Sequence, residues 1–377
     1  MADLYYALTV RAGPASAELA RDLTSMDISE QEGTPDLLVV EVSDPFKVYG
    51  HAVQEGMEIE VDLGSVEDHS LVFRGHIHQV DATFPEDGVP TVTLRAHDNA
   101  MRMGLRTRSR RWTDTTLSGI ATDIAREHGF MSQDVQLRGD PSFSGNGVRQ
   151  HDETDLAFLN RLATQFGAEL WVEPHDAFDR FVFRAQREIM TAEPGVTLHH
   201  GRCGVPDRLF SFEARADLSA VQLPRELAAI DEQTGEESGP IMAPVGTVAP
   251  IEDPFFDENM TAFRARHPDR AVRLEALVNA GPMAREDAVQ DLGTATRPVS
   301  PTFQSPERLQ TRAENQFSTR VHGMTATGST SGNRALHAQH NVEISDVGAR
   351  FSGIWYLSRV HHVLDGDGYR TDFEARR

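Results

Sequence analysis

Glu58-Ile59-Glu60, Phe73-Arg74-Gly75, a run to Val80, and then Gly88, Thr91 and Thr93 outline one β-module near the start of the chain. Glu343-Ile344-Ser345, Phe351-Ser352-Gly353, a run to Val360, and then Gly368, Thr371 and Phe373 outline a second at its end. Residues 57–94 and 342–373 share an order: an alternating strand, an F-x-G bend, a second strand, a glycine turn and a final strand. The alternation of apolar and polar residues gives each strand one face for a core. Two such modules in one chain let three chains present six.

Outward from the first module, residues 4–12, 37–43, 71–83 and 91–97 carry the same β-branched, period-two pattern, clearest in Leu37–Val42 and Thr91–Arg95. Turn clusters such as Pro85-Glu86-Asp87-Gly88 separate them, which predicts an antiparallel sheet or barrel. The spacing of Leu117, Ile120, Ala121, Ile124 and Ala125 predicts a helix over 114–128, capped by Thr113 or Asp114 and ended by Gly129. Gly and Pro mark 140–147 as a loop. A second helix is predicted over 153–166, with Asp152 as N-cap, Leu156, Leu159, Leu162, Ala163 and Phe166 inward, and Gly167 at C′. A hairpin of 169–173 and 180–184 follows, then strands over 207–223. Between 224 and 305 the pattern weakens and Pro, Gly and acidic residues dominate 231–256, so a long insertion or exposed arm is expected, with a helix near 282–291. A helix over 306–319 leads back to the terminal strands.

A chain of 377 residues is long enough for two or three domains. It contains no apolar run near the ~20 residues of a transmembrane helix, and Met1–Tyr6 lacks the basic and apolar regions of a secretory signal. Cys203 is the single cysteine, so no intrachain disulfide forms, and it reads as a small buried hydrophobe. The formal charge is −22, from 36 basic and 58 acidic residues. All the basic residues but Lys47 are arginine. Either an arginine-favouring codon usage or a surface adapted to high salt accounts for this. An excess of this size disfavours stable binding to nucleic acid or anionic membranes.

No recognisable catalytic pattern is present: there is no G-x-S-x-G, no Walker loop, no H-E-x-x-H and no dinucleotide fingerprint. Among sixteen histidines, the pairs His76/His78, His199/His200, His337/His340 and His361/His362 invite a metal. Adjacent residues on a strand face opposite ways, which disfavours the second and fourth pairs. No Cys or Glu nearby in sequence completes a set, so neither a metal nor a cofactor is expected. Asp152, Glu153 and Asp155 are explained as acids at a helix start, where negative charge is favoured. Arg102, Arg106, Arg108, Arg110 and Arg111 beside Trp112 form a concentrated positive patch, read as a subunit contact through Arg106, Arg108, Arg110 and Arg111 rather than a nucleic-acid site.

Three segments together resemble the late control D family, the baseplate hubs of contractile phage tails, whose fold also forms the hub-like part of type VI valine-glycine-repeat protein G and the hubs of extracellular contractile injection systems. The first runs from Gly75 to Asp98 and on through Arg106 to the 114–129 helix. The second is Gln150-His151-Asp152-Glu153-Thr154-Asp155-Leu156-Ala157-Phe158-Leu159-Asn160-Arg161-Leu162-Ala163, followed by Gly167. The third runs from Phe351-Ser352-Gly353 through His361-His362 to Gly368-Tyr369-Arg370-Thr371-Asp372-Phe373. Within these, Gln150, Asp152, Asp155, Leu156, Phe158, Leu159, Arg161, Leu162, Gly167, Gly353, His362, Gly368, Tyr369, Thr371 and Phe373 carry the likeness.

The resemblance implies a mainly β fold with α+β insertions: two tube-like antiparallel β-barrel domains flanking a helix-plus-hairpin middle region. The expected division is 1–112 for the first barrel and 113–195 for the middle. The second barrel takes 196–223 and 306–377, and 224–305 is the arm. It further implies a non-enzymatic homotrimer that adapts a hexameric inner tube protein to a trimeric spike protein, in contact with baseplate wedge proteins. The spike is expected to be a separate polypeptide, because the chain ends after the second barrel. Such a part is assembled in the cytoplasm and resides in a phage tail or an extracellular injection particle. The hub of an ordinary contractile phage fits the same residues. A β-rich receptor- or glycan-binding tail protein is the reading from another class, although aromatics are only 7% of the chain.

Overall fold

The computed structural model describes residues 4–145, 147–175, 178–201, 207–217, 226–230, 237–242, 256–293, 302–303, 323–348 and 350–377. The first unit holds β1 (Leu4–Ala12), β2 (Ala15–Glu18), β3 (Leu23–Gln31), β4 (Leu37–Ser43), the short helix α1 (Tyr49–Ala52), β5 (Glu58–Ser65), β6 (His69–Thr83) and β7 (Thr91–Asp98). These strands pair in the order β2-β1-β5-β6-β7-β4-β3, every pair antiparallel. Strict alternation turns Leu38, Val40 and Val42 of β4, and Val92, Leu94 and Ala96 of β7, into one core with Ile59, Val61 and Phe73. Full burial of each large apolar side chain contributes about 1.5–3 kcal/mol.

The β5-β6-β7 meander has a counterpart at the end of the chain, but the two F-x-G triplets differ in role. Phe351-Ser352-Gly353 leads into a strand, with Gly353 at φ 135°. Gly75, expected at a bend, lies inside β6 opposite Asp98. A Cβ at position 75 would sit 2.0 Å from the His97 carbonyl oxygen. Close approach of two backbones, not a turn, demands glycine there.

The middle unit follows: β8 (Thr107–Trp112), β9 (Thr115–Thr116), α2 (Leu117–Glu127), β10 (Ser132–Gln136), β11 (Ser142–Phe143), β12 (Val148–Thr154), α3 (Asp155–Phe166), β13 (Ala168–Glu173), β14 (Arg180–Ala185) and α4 (Gln186–Met190). Both long helices bury the predicted stripes. Both begin later than expected. Thr116 caps α2, its hydroxyl accepting from the Gly119 N–H at 3.2 Å, and Thr154 caps α3, accepting from the Ala157 N–H at 3.1 Å. Asp114 and Asp152 instead take φ of 54° and 48°, outside the extended backbone a capping residue needs. Gly167 ends α3 at φ 66°, ψ 43°, as a left-handed cap. The hairpin β13–β14 gains β10 as a parallel third strand.

The rest of the chain supplies β15 (Val196–His200), β16 (Arg208–Ala216), β17 (Glu226–Ile230), β18 (Glu237–Met242), α5 (Phe256–Arg266), α6 (Pro268–Gly293), β19 (Thr302–Phe303), β20 (Met324–Ser331), β21 (Asn341–Ser345), β22 (Gly353–Asp365) and β23 (Gly368–Arg376). Six of these close a barrel in the order β22-β21-β15-β16-β20-β23, with β23 returning to β22. β15 runs parallel to both its neighbours; the other pairs are antiparallel. Leu198, Val342, Ile344, Trp355, Leu357 and Phe373 fill it. Where an exposed arm was expected, a small β17–β18–β19 sheet and the helix pair α5–α6 occur, the latter tied by Arg264 Nε donating to Glu275 Oε1 at 3.0 Å. The helix foreseen over 282–291 belongs to α6, which starts at Pro268, a residue suited to a first helical position. The helix foreseen over 306–319 and Cys203 lie outside the described residues.

Strands β3 and β22 pair antiparallel from Arg359↔Gln31 to Leu364↔Met26. That seam fuses the first unit and the closed barrel into one thirteen-stranded sheet, ending at β2. The chain is therefore mainly β, and among the described residues its longer helices lie in the middle unit and in the 224–305 region.

Candidate functional site

The Gln150–Ala163 run builds a buried polar node at the start of α3. Asp155, fully buried in the first helical turn, accepts from Arg110 Nη2 and Gln150 Nε2 on Oδ1, both at 2.8 Å. Its other oxygen lies 2.8 Å from His128 Nε2 and 3.4 Å from Arg108 Nε. Gln150 Oε1 in turn accepts from Arg110 Nε at 2.9 Å. Burial alone would raise the Asp155 pKa, but the bonds from His128 and Gln150 and the charges of Arg110 and Arg108 outweigh it, leaving it lowered. Glu127, at the end of α2, accepts from Nη1 of both Arg108 and Arg110. Arg161 closes the far side, pairing with Glu153 at 2.6 Å and lying 5.2 Å over the Phe158 ring. Phe158, Leu159 and Leu162 enter the core shared by α2 and α3, with Leu156 packed at its margin. Asp152, on a bulge of β12, is exposed, and its N–H donates to Ser109 Oγ at 3.0 Å.

Arg108 and Arg110 thus direct their charge at carboxylates of their own chain. Arg106 and Arg111 are exposed on the same stretch.

The third sequence segment straddles the two cores, with Phe373 in the closed barrel and Tyr369 packed against the first unit. Phe373 covers Gly328, where a Cβ would lie 2.3 Å from the ring, and Tyr369 covers Gly332 at 1.9 Å by the same measure. Thr371, wholly buried, accepts from the Asn333 N–H at 2.9 Å, and the Tyr369 hydroxyl lies 2.9 Å from His362 Nδ1. Gly368 supplies the turn at φ 115°, and the Gly353 edge is covered by Arg377, which donates to the Ser352 carbonyl at 2.7 Å.

Two further seams, which short-range spacing could not reveal, fix the middle unit on both sheets. Arg74 of β6 bridges Glu60 at 2.7 Å and Asp179 at 3.0 Å, while Asn99 joins His76 to Asp179. On the other side, Tyr356 of β22 donates its hydroxyl to Glu169 of β13. Arg376 of β23 lies 4.8 Å over the Tyr356 ring and 2.7 Å from Glu32, just after β3. Three parts of the fold therefore meet at Glu169. Burial, then the Glu32 charge, pushes its carboxyl up to about 8. Buried polar networks of this kind hold elements in one relative orientation, since sliding would strand unpaired groups.

A carboxyl whose folded pKa lies above its unfolded value keeps an extra proton in the folded state, so stability falls as pH rises from about 4.5 through about 8. Asp98, pushed by burial to about 8, acts in the same direction. Glu169→Gln is expected to flatten this decline and raise the melting temperature at pH 8.5 relative to wild type, each unit of pKa separation being about 1.4 kcal/mol. Differential scanning fluorimetry from pH 5 to 9 checks it; an unchanged slope in the variant would refute the assignment.

Of the histidine pairs, His76 is bound to Asn99 and His78 stacks on His97 with ring centres 4.5 Å apart, so the two do not converge on one point. His199 pairs with Asp346 at 3.1 Å, and His361 with Asp27 at 2.6 Å. No helix among the described residues is long and apolar enough to cross a membrane.

The profile of a known family, the phage tail baseplate hub (GPD), matches residues 38–234, more than half of the chain. The chain belongs to this baseplate hub family. No curated protein matches it. Solved structures share the hub's fold. A tail protein from Neisseria meningitidis MC58 is 16% identical with a TM-score of 0.62, covering 99% of this chain and 96% of its own. The 43 kDa tail protein of prophage MuSo2 from Shewanella oneidensis is 15% identical with a TM-score of 0.60, covering 99% and 98%. A type VI secretion system component of E. coli, itself similar to the T4 bacteriophage tail proteins gp27 and gp5, is 14% identical with a TM-score of 0.56, covering 98% and 76%.

Proposed function

We propose that this hub acts as a non-enzymatic homotrimer in a contractile tail-like particle, where three chains present six β-units to a hexameric inner tube and a three-fold face to a trimeric spike. The observation that carries this reading is the thirteen-stranded sheet: a seven-stranded unit and a six-stranded closed barrel, joined through β3–β22, repeat one meander within one chain. Closed cyclic symmetry is the common solution for such assemblies. The seams at Arg74 and Glu169 support a load-transferring role, because they resist shear between the middle unit and both sheets. The division into a first barrel, a middle unit, a second barrel and the 224–305 arm belongs to this proposal. So do wedge contacts, assembly in the cytoplasm, and residence in an extracellular injection particle or a phage tail.

The free edge of the sheet supports a site for joining copies. Among the described residues β2 pairs with β1 alone, and Ala15, Ser16, Ala17 and Glu18 are all exposed. Alternate residues of an antiparallel ladder turn their N–H groups outward. The two-residue turn at Gly13-Pro14 directs Ala15 and Ala17 toward β1 and Ser16 outward. An open edge invites pairing with a strand from another copy. Arg106 and Arg111 would add charge-assisted contacts to acidic neighbours. Ser16→Pro removes one outward donor without touching the core, and is expected to weaken trimerisation roughly tenfold while leaving the melting temperature of the monomer unchanged. Sedimentation velocity over a concentration series checks it; an unaltered association constant would remove β2 from the interface.

A further inference from the structure

We propose that Glu30, His337 and His362 form a binding site for one divalent transition-metal ion, Zn2+ being the best fit, that staples the first sheet to the closed barrel beside their shared seam. The three residues come from separate pieces of chain: Glu30 from β3, His337 from the loop after β20, and His362 from β22. Their donor atoms all lie within 4.8 Å of one another. Glu30 Oε1 is 2.9 Å from His337 Nδ1 and 3.8 Å from His362 Nε2. Zinc bonds of ~2.0–2.1 Å at tetrahedral angles place ligand atoms about 3.4 Å apart, a spacing that the 2.9 and 3.8 Å pairs bracket. Two imidazoles and one carboxylate are a ligand set zinc accepts, with a fourth position left for water.

The outer contacts fit as well as the donors. Metal-binding imidazoles ordinarily donate their second ring N–H to a fixed oxygen, which sets the tautomer. His362 Nδ1 has two such oxygens, the Tyr369 hydroxyl at 2.9 Å and the Thr371 hydroxyl at 3.2 Å. Glu30 Oε2 is held by the Ala338 N–H at 2.9 Å, which aims Oε1 at the histidines. His362 Nε2 also lies 3.1 Å from the Leu336 carbonyl, to which it donates in the ion-free chain, so metal binding moves that proton to Nδ1, where the Tyr369 and Thr371 oxygens can accept it. Glu30 and His362 are buried, whereas about a third of the His337 side chain is exposed, giving an ion and its water a way in. Without an ion, one proton between His337 and Glu30 occupies the same place. A metal displaces that proton and adds His362 to the link.

The test uses the tag-free full-length chain, stripped with a chelator, incubated with ZnCl2 and desalted. Elemental analysis is expected to find one zinc per chain, and zinc is expected to raise the melting temperature, since an ion bound only by the folded state stabilises it by mass action. His337→Ala and Glu30→Gln should each lower zinc affinity at least about tenfold, while His51→Ala, an exposed histidine on α1, retains wild-type uptake. Wild-type chain that retains no zinc, or His337→Ala that retains as much, would overturn the proposal. Co2+ loading of the wild-type chain decides the matter independently of any variant. Intense visible bands of tetrahedral cobalt, bleached by added Zn2+, are expected; a spectrum of hydrated cobalt alone would overturn it.

Discussion

Asp155→Asn is expected to destabilise the middle unit by about 3–5 kcal/mol, the usual cost of breaking a buried charge pair from one side. The substitution preserves shape but leaves Arg108, Arg110 and His128 facing a neutral amide in a site where the carboxylate is fully buried. An amide NH2 must also point at a cation or at Gln150 Nε2, where the carboxylate accepted from both. The wild-type node has its own pH signature. Because the folded pKa of Asp155 is lowered, its contribution is present above the unfolded value near 3.8 and is lost as pH falls through the folded one. Hydrogen exchange of α3 amides, compared between wild type and variant, localises the effect. A loss below about 1 kcal/mol would place the node among ordinary surface ion pairs.

Gly75→Val is expected to be more severe, yielding a chain that does not fold into a soluble form at 37 °C. A Cβ at residue 75 would lie 2.0 Å from the His97 carbonyl oxygen and 2.7 Å from its carbon, both backbone atoms that cannot swing aside. Relief requires parting β6 from β7, at the centre of the first sheet and beside Ala96 and Phe73 in its core. Gly56→Val is the control, because it meets nothing within 4 Å, although its φ of 87° adds a backbone cost of about 1–2 kcal/mol. Soluble yield and far-UV circular dichroism of the two variants decide. Comparable folding of both would mean that the β6–β7 approach at Gly75 is looser than described.

Strands with clean alternation were legible: Leu37–Val42 and Thr91–Arg95 appear where the pattern places them, as do the apolar stripes of the two helices. The β3 strand was not, because its inward positions run Met26, Ile28, Glu30, and the last turns a carboxylate into the seam. Helix starts were misplaced by two or three residues. Asp114 and Asp152 resemble caps in sequence, yet threonines nearer the helix make the bonds. The family run at Gln150–Ala163 was legible as a motif, while its physics was not: Asp155 reads as a helix-start acid until Arg110 and His128 converge on it. Glu169 with Tyr356, and Glu30 with His337, lie far apart in sequence and meet only through the sheet topology. Local periodicity carries no signal for such pairs. Of the α5–α6 pair only 282–291 is legible as helix, because Val272 and Leu277 remain exposed and the earlier apolar residues form no continuous stripe.

The proposed symmetry-adaptor role requires three chains supplying six β-units, and electron cryomicroscopy of the purified full-length hub at micromolar concentration tests it most directly. A three-fold ring is expected in which the first sheet and the closed barrel alternate around one axis, six units in all. A monomer, a dimer, or a ring with only one β-unit per chain facing the axis would contradict it.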